Sequence, residues 1–365
     1  MASFRYRPLL LAMILAGFST VLFGIFYLAA NSLPSPESSR WSLCVWDCGW
    51  YRSIAERGYD RMPDPHRMDA NYGFFPAFPI AVLLLMKAAG VSFVVAGMVL
   101  NALLSLLFCW VALNYRSELN LKDDAEASVF LAAFLLSPWS LYNHVPLTEM
   151  LFNVATLGTF VFWRRGNYGA AAVFGFVLTA TRPTGIFLPL ILAIELLYRE
   201  RHRLIDLALR PDGRLRALAV MPLGLAAFIV FLYVRVGDPL AYVHIQEMGW
   251  AHIFVNPLAV LATALITTAT TRYEAAAFLV ASAALATGVS LRRIPLSLAA
   301  FAWLTPCIAL LSSVDSQPRY ALALFPLYLI VPAMSRLLQV ALIVMMALGQ
   351  AVLVYYWVQS APWLV

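Results

Sequence analysis

The 365-residue chain is 62% hydrophobic and only 12% charged, with a mean hydropathy of +0.79, whereas an ordinary soluble domain carries roughly 25% charge. That composition excludes a soluble globular protein and describes a polytopic membrane protein. The formal net charge of +6 does not point to nucleic acid, because the basic residues fall in short clusters between apolar runs, as the orienting charges of membrane loops do.

The first predicted element runs from Pro8 to Ala30 behind Arg5 and Arg7. It is near the twenty residues that a span requires and reads as an uncleaved signal anchor. The first outer loop, 31–90, follows. Its tryptophans Trp41, Trp46 and Trp50 mark a segment at headgroup level. Trp46-Asp47 is followed by Tyr51, Ile54-Ala55, Gly58-Tyr59 and then Phe74-Phe75-Pro76-Ala77-Phe78-Pro79. A loop this long and this rich in aromatic and ionisable groups is more than a connector. Asp47, protonated by apolar surroundings or held ionised by an arginine, suits acid–base work in either state. The plainer alternative is a helix cap or a partner for Arg52. Cys44 and Cys48 pair only if the backbone geometry allows it. Two ordinary thiols are the simpler reading, and no third ligand accompanies them for a metal.

Predicted spans lie near 8–30, 91–113, 126–142, 147–163, 168–183, 185–198, 217–236, 275–291, 296–313, 320–335 and 338–358. This is an all-α polytopic fold of about eleven transmembrane helices, with the N-terminus inside and the C-terminus outside. Residues 1–365 form a single integral domain without tandem repeats. The basic loop 199–216 is cytoplasmic by the positive-inside rule, and Arg164-Arg165 and Arg292-Arg293 are further inside markers. The apolar stretches Phe74 to Lys87 and Asn256 to Thr271 break this parity. Both are predicted to be juxtamembrane helices lying at or dipping into the outer interface, the second within an outer loop at 237–272.

This topology gathers the short-loop polar residues on the outer side. Glu149 opens an apolar helix, where a carboxylate complements the macrodipole or orients a sugar hydroxyl or an arginine. Arg182, in Thr181-Arg182-Pro183-Thr184-Gly185, lies where positive-inside does not place a cation, and a guanidinium is a natural bidentate ligand for phosphate. A structural salt bridge is its alternative. His244, in the loop with Asp238 and Gln246, binds substrate or simply hydrogen-bonds within the loop. Arg319 precedes Tyr320 at a helix start, where an anion would relieve its conflict with the dipole; pairing with Asp315 would do the same. There is no phosphate-cradling glycine loop with a lysine and no metal cluster. A lipid-linked phosphosugar presented in the bilayer meets those constraints.

In order along the chain, Trp46-Asp47 with its following motifs, Thr148-Glu149-Met150-Leu151-Phe152, Thr181-Arg182-Pro183-Thr184-Gly185, Gly237-Asp238-Pro239 with His244 and Gln246, and Arg319-Tyr320 with Phe325-Pro326 resemble the second mannosyltransferase of GPI-anchor assembly and its bacterial relatives. The resemblance implies a GT-C type, metal-independent, inverting glycosyltransferase that uses polyprenyl-phosphate-mannose or a similar donor. Asp47 matches the family's first-loop catalytic aspartate and is expected to be the general base, with Arg182 and Arg319 on the donor phosphate. Trp46, Trp50, Tyr51, Glu149, Asp238, His244, Gln246 and Tyr320 are expected to contact substrate. Trp50 stands where relatives often carry a histidine, which leaves stacking on a sugar or lipid as its role.

No metal and no cofactor are expected. The expected partners are the membrane, a polyprenyl-phosphate sugar donor and a lipid or glycan acceptor, with an accessory subunit left open. The expected location is a bacterial inner membrane, with the site facing the periplasm. The rival readings are transfer of aminoarabinose or glucose from the same carrier to a lipid, and a non-enzymatic lipid or sugar transporter, which would carry ionisable groups at helix midpoints.

Overall fold

The structure is a computed structural model that describes residues 3–33, 43–203, 209–361 and 364. Trp41 and parts of the first outer loop and of the basic loop lie outside the described residues. Every regular element among those described is helical. Long apolar runs take this form because a helix satisfies its own backbone polar groups where water is absent.

In chain order the α-helices are α1 (Ser3–Ser32), α2 (Asp47–Arg57), α3 (Ala77–Ala89), α4 (Phe93–Asn114), α5 (Asp124–Leu135), α6 (Glu149–Arg164), α7 (Tyr168–Thr181) and α8 (Phe187–Arg199). After the basic loop come α9 (Gly213–Val220), α10 (Leu223–Val236), α11 (Ala241–Trp250), α12 (Pro257–Ile266), α13 (Ala269–Ser290), α14 (Leu296–Ala309), α15 (Gln317–Leu322) and α16 (Arg336–Val358). Arg7–Ser32, Phe93–Asn114, Gly213–Val236, Ala269–Ser290 and Arg336–Val358 are long and apolar enough to cross a membrane by length and composition. Leu10, Ile14, Phe18, Val21 and Ile25 of α1 are exposed, a stripe that suits lipid rather than water. The chain is an integral membrane protein.

Helix α6 is the central element. Every residue from Glu149 to Val161 is buried, as expected of a helix enclosed on all sides, and it packs against α4 and α7. Phe108, Phe130, Phe134, Phe152, Phe301 and Phe325 fill the core around it.

Two expectations require correction. The predicted span at 320–335 is not one helix: α15 ends at Leu322 and a 3-10 segment runs from Phe325 to Ala333. Pro326 and Pro332 remove backbone donors and clash with the preceding turn. The irregular stretch is tolerated because protein covers it; Phe325, Leu327 and Leu329 are buried. The span predicted at 126–142 likewise stops at Leu135, and Pro138 opens a 3-10 turn to Asn143. The two stretches that broke the parity form α3 and α12. At 13 and 10 residues they reach roughly 20 and 15 Å, short of the roughly 30 Å hydrocarbon core.

The basic markers cluster at one end of the bundle. Arg164 and Arg165 lie 3.3 and 3.7 Å from Glu118, Arg116 lies 3.3 Å from Asp124 and Arg293 lies 3.1 Å from Glu126. Asn120 Nδ2 donates to the Arg292 carbonyl at 3.2 Å. Such surface pairs add little stability, but they fix which loops share a face. Helix α6 runs 16 residues from Glu149 to Arg164, so its two ends stand roughly 24 Å apart. The predicted site residues gather at the Glu149 end.

Candidate active site

Four charged side chains far apart in sequence meet where α2, α6, α7 and α15 converge. The first is delivered by a tight loop. Cys44 and Cys48 form a disulfide, which corrects the expectation of two ordinary thiols. Between them Trp46 takes φ 57° and ψ −129°, a conformation of the kind that costs about 1–3 kcal/mol and collects at functional sites. Asp47 follows as the first residue of α2. With both cysteines replaced by serine, the chain-entropy estimate for so short a loop is a loss of about 2 kcal/mol in stability. Thermal denaturation of the double variant measures that loss, and an unchanged midpoint would show that the bond adds nothing.

Glu149 opens α6 after a segment that Asn101 holds in place. The buried Asn101 amide donates to the Val145 carbonyl at 2.6 Å and to that of Leu147 at 3.2 Å. One turn into α6, Asn153 donates to the Ala323 carbonyl at 3.0 Å and accepts from the Phe325 N–H at 3.1 Å. These bonds take up backbone groups freed by the break after α15 and hold the Arg319-bearing helix against Glu149. Arg182 is the residue just after α7, with extended backbone. The turn behind it requires Gly185, since a Cβ there would stand 2.4 Å from the Leu178 carbonyl oxygen.

The four side chains form one network. Arg319 donates from Nη1 to Asp47 Oδ2 at 2.5 Å and from Nε to Glu149 Oε1. Arg182 donates from Nη2 to the same Glu149 oxygen at 2.5 Å and from Nε to Thr148 Oγ1 at 2.9 Å. Two carboxylates and two guanidinium groups balance in charge. Glu149 and Arg319 are buried, their side chains 2% and 5% exposed, while Asp47 retains 24%. Two of the plainer pairings do not form, since Arg52 pairs with Glu56 rather than Asp47 and Arg319 pairs with Asp47 and Glu149 rather than Asp315, whereas Arg182 does make the salt bridge that was its alternative, to Glu149. Among the described residues, Arg182 Nη1 and Arg319 Nη2 make no hydrogen bond to the protein. Donors therefore remain for an anion.

A cavity of about 520 Å³ opens over this network, within the range of small-molecule sites. Asp47, Tyr51, Arg182, Gln246, Arg319 and Tyr320 line it, and Ile253, Phe254, Ile308 and Leu311 form an apolar side. Burial, and then the nearby Asp47 carboxylate, push the Tyr51 hydroxyl well above its ordinary pKa, so it faces the cavity as a neutral hydrogen-bonding group. The Arg182 guanidinium lies 5.9 Å from the Tyr320 ring.

Not every expected contact residue reaches this space. Glu149 sits behind the wall as the shared counter-ion of both arginines, too buried to meet a substrate. Trp46 and Trp50 line neither this cavity nor a second, smaller one. Phe74 stacks on Trp50 at 5.6 Å with Trp250 edge-on, so the stacking assigned to Trp50 is made with the protein's own rings. Asp238 and His244 line the second cavity, where His244 Nδ1 and Asp238 Oδ2 are 2.6 Å apart.

Of the wall that α11 and the residues after it give the main cavity, only Gln246 was anticipated. Tyr242, Trp250, His252 and Phe254 line it, and Gln246 pins the helix by donating to the Gly73 carbonyl at 3.0 Å. Gln246 Oε1 accepts from His252 Nδ1 at 2.8 Å. Burial holds the His252 imidazole below its ordinary pKa, with Asp315 opposing weakly. The unfolded chain therefore takes up a proton at this histidine before the folded one does. The resulting stability is complete above about pH 6.5 and declines as pH falls below it. Protection factors of the amides at residues 246–256, taken relative to the intrinsic exchange rate at each pH, are expected to fall between pH 7 and 5.5, and equal protection factors at both pH values would contradict this.

This all-helical bundle, with the candidate site at one end of a buried central helix, is a fold also seen in solved structures. Eight chains of solved structure match the protein. One is ArnT from Cupriavidus metallidurans bound to undecaprenyl phosphate, with a TM-score of 0.50 and 14% identity over 96% of this chain and 76% of ArnT. No protein-family model and no curated protein matches the sequence.

Proposed function

We propose that the protein is an inverting glycosyltransferase that moves a sugar from a polyprenyl-phosphate carrier to a lipid or glycan acceptor. The observation that carries this reading is the meeting of Asp47 with Arg182 and Arg319 at the floor of a cavity that is ionic at one end and apolar at the other. The likeness in fold to a protein that holds undecaprenyl phosphate supports it.

In the proposed reaction Asp47 accepts the proton of an acceptor hydroxyl while that oxygen attacks the anomeric carbon. The bond from that carbon to the carrier phosphate breaks on the opposite face, and the free donors of Arg182 and Arg319 take up the charge left on the phosphate oxygens. Fixed cations in a water-poor site do this at little reorganisation cost. The residues in the site require neither metal nor cofactor for these steps. The isoprenoid would lie along Ile253, Phe254 and Ile308.

The basic clusters occupy the opposite end of the bundle. With those clusters in the cytosol, the cavity faces outward, toward the periplasm of a bacterial inner membrane. A disulfide beside Asp47 suits that oxidising side. The donor sugar proposed from the sequence motifs is mannose or a similar hexose; aminoarabinose or glucose on the same carrier is the second reading. Proteoliposomes given polyprenyl-phosphate-linked mannose, glucose or aminoarabinose and extracted membrane lipids and glycans distinguish the two. Labelled product from one donor supports transfer and names the sugar. Lipid movement without product would support a transporter instead.

A further inference from the structure

The second cavity, about 420 Å³, has polar groups that the transfer chemistry does not use. Pro63, Tyr72, Asp238, His244, Glu247 and Met248 line it. Tyr72 is only 3% exposed, yet its side chain faces this cavity and its hydroxyl makes no hydrogen bond to any described residue. The hydroxyl keeps accessible surface at the cavity, where it can donate to and accept from a ligand.

The neighbouring groups define that ligand. Asp238 is already engaged: Oδ2 meets His244 Nδ1 at 2.6 Å and Oδ1 accepts the Leu240 N–H at 2.8 Å. That pairing occupies Nδ1 and leaves Nε2 facing a ligand. Glu247 has no ion pair among the described residues and lines both cavities. The groups on offer are thus a phenolic hydroxyl, an imidazole nitrogen and a carboxylate around a partly apolar wall. A row of hydroxyls, each both donor and acceptor, matches this mixture. An ammonium, which only donates, would leave the Tyr72 O–H without an acceptor.

We propose that this second cavity is the docking subsite for a carbohydrate portion of the acceptor, bound by Tyr72, His244 and Glu247 and joined through Glu247 to the reaction cavity. This rests on the glycosyltransferase reading and makes the acceptor a sugar-bearing molecule rather than a plain lipid alcohol.

Saturation-transfer NMR on the full chain in phosphatidylcholine nanodiscs tests it, with methyl α-D-mannopyranoside and ethanolamine as probes and undecaprenyl phosphate binding measured on the same samples. Ring protons of the mannoside are expected to receive saturation in the parent protein. Tyr72→Phe, which keeps the buried ring, and Glu247→Gln should each weaken that binding roughly 2- to 10-fold. Tyr72→Phe is decisive because Tyr72 lines only the smaller cavity. No saturation of the mannoside, saturation of ethanolamine alone, or equal binding by Tyr72→Phe would overturn the proposal. Loss of sugar binding with lipid phosphate still bound would leave the transferase reading standing. Sugar binding without lipid phosphate binding would remove the transferase reading and keep a carbohydrate site.

Discussion

Asp47→Asn is expected to lower sugar transfer by roughly 10²- to 10⁴-fold, the range that a positioned general base contributes, in a protein that folds and binds donor as before. The asparagine carbonyl can still accept from Arg319 Nη1, which now meets Asp47 Oδ2 at 2.5 Å, so the network keeps its shape. What is lost is the capacity to take up the acceptor's proton. Asp47 is the more exposed of the two carboxylates, 24% against 2% for Glu149, so removing its charge disturbs the protein least. Single-turnover transfer from the polyprenyl-phosphate donor measures the effect, and a rate equal to that of the parent protein would remove the base assignment.

Glu149→Gln is expected to act on the fold as well as on the activity. Its carboxylate holds Arg182 and Arg319 together at the start of a helix that is buried from Glu149 to Val161. Removing one partner of a buried ion pair leaves uncompensated charge and costs about 3–5 kcal/mol. The two guanidinium groups then repel each other across the gap. Because the residues act as a unit, the double variant Glu149→Gln with Arg182→Gln is expected to recover part of the loss, with a coupling of about 1–3 kcal/mol. Denaturation midpoints of the two single variants and the double variant measure this. Additive losses would mean that Glu149 and Arg182 do not depend on each other.

Much of this arrangement was legible in the sequence, for reasons specific to each part. Apolar runs of membrane length read directly as helices, and α1, α4 and α16 lie within a few residues of their expected bounds. Arg182 stood out as a cation where the positive-inside rule does not place one, and Arg319 as a cation at a helix start, where the dipole disfavours it. Their partner was harder to see. A first-turn glutamate is adequately explained by the macrodipole, and only the packing of α7 and α15 onto α6 makes Glu149 the shared counter-ion. The break at Ala323–Leu324 was hidden inside an apolar run, although Pro326 and Pro332 carried the signal. Trp50 was misread because an aromatic ring that binds a sugar and one that packs on Phe74 have the same sequence signature. Tyr72 and Glu247 carry no motif at all, and their alignment around one cavity depends on where α11 lies against the first outer loop.

The central claim is that Arg182 and Arg319 hold a lipid phosphate beside Asp47, and the affinity of the purified protein for undecaprenyl phosphate tests it most directly. Charge-assisted hydrogen bonds contribute about 1.5–3 kcal/mol each, so a folded Arg182→Gln variant is predicted to bind the lipid roughly 10- to 100-fold more weakly than the parent protein. Equal affinity in the two proteins would contradict the account.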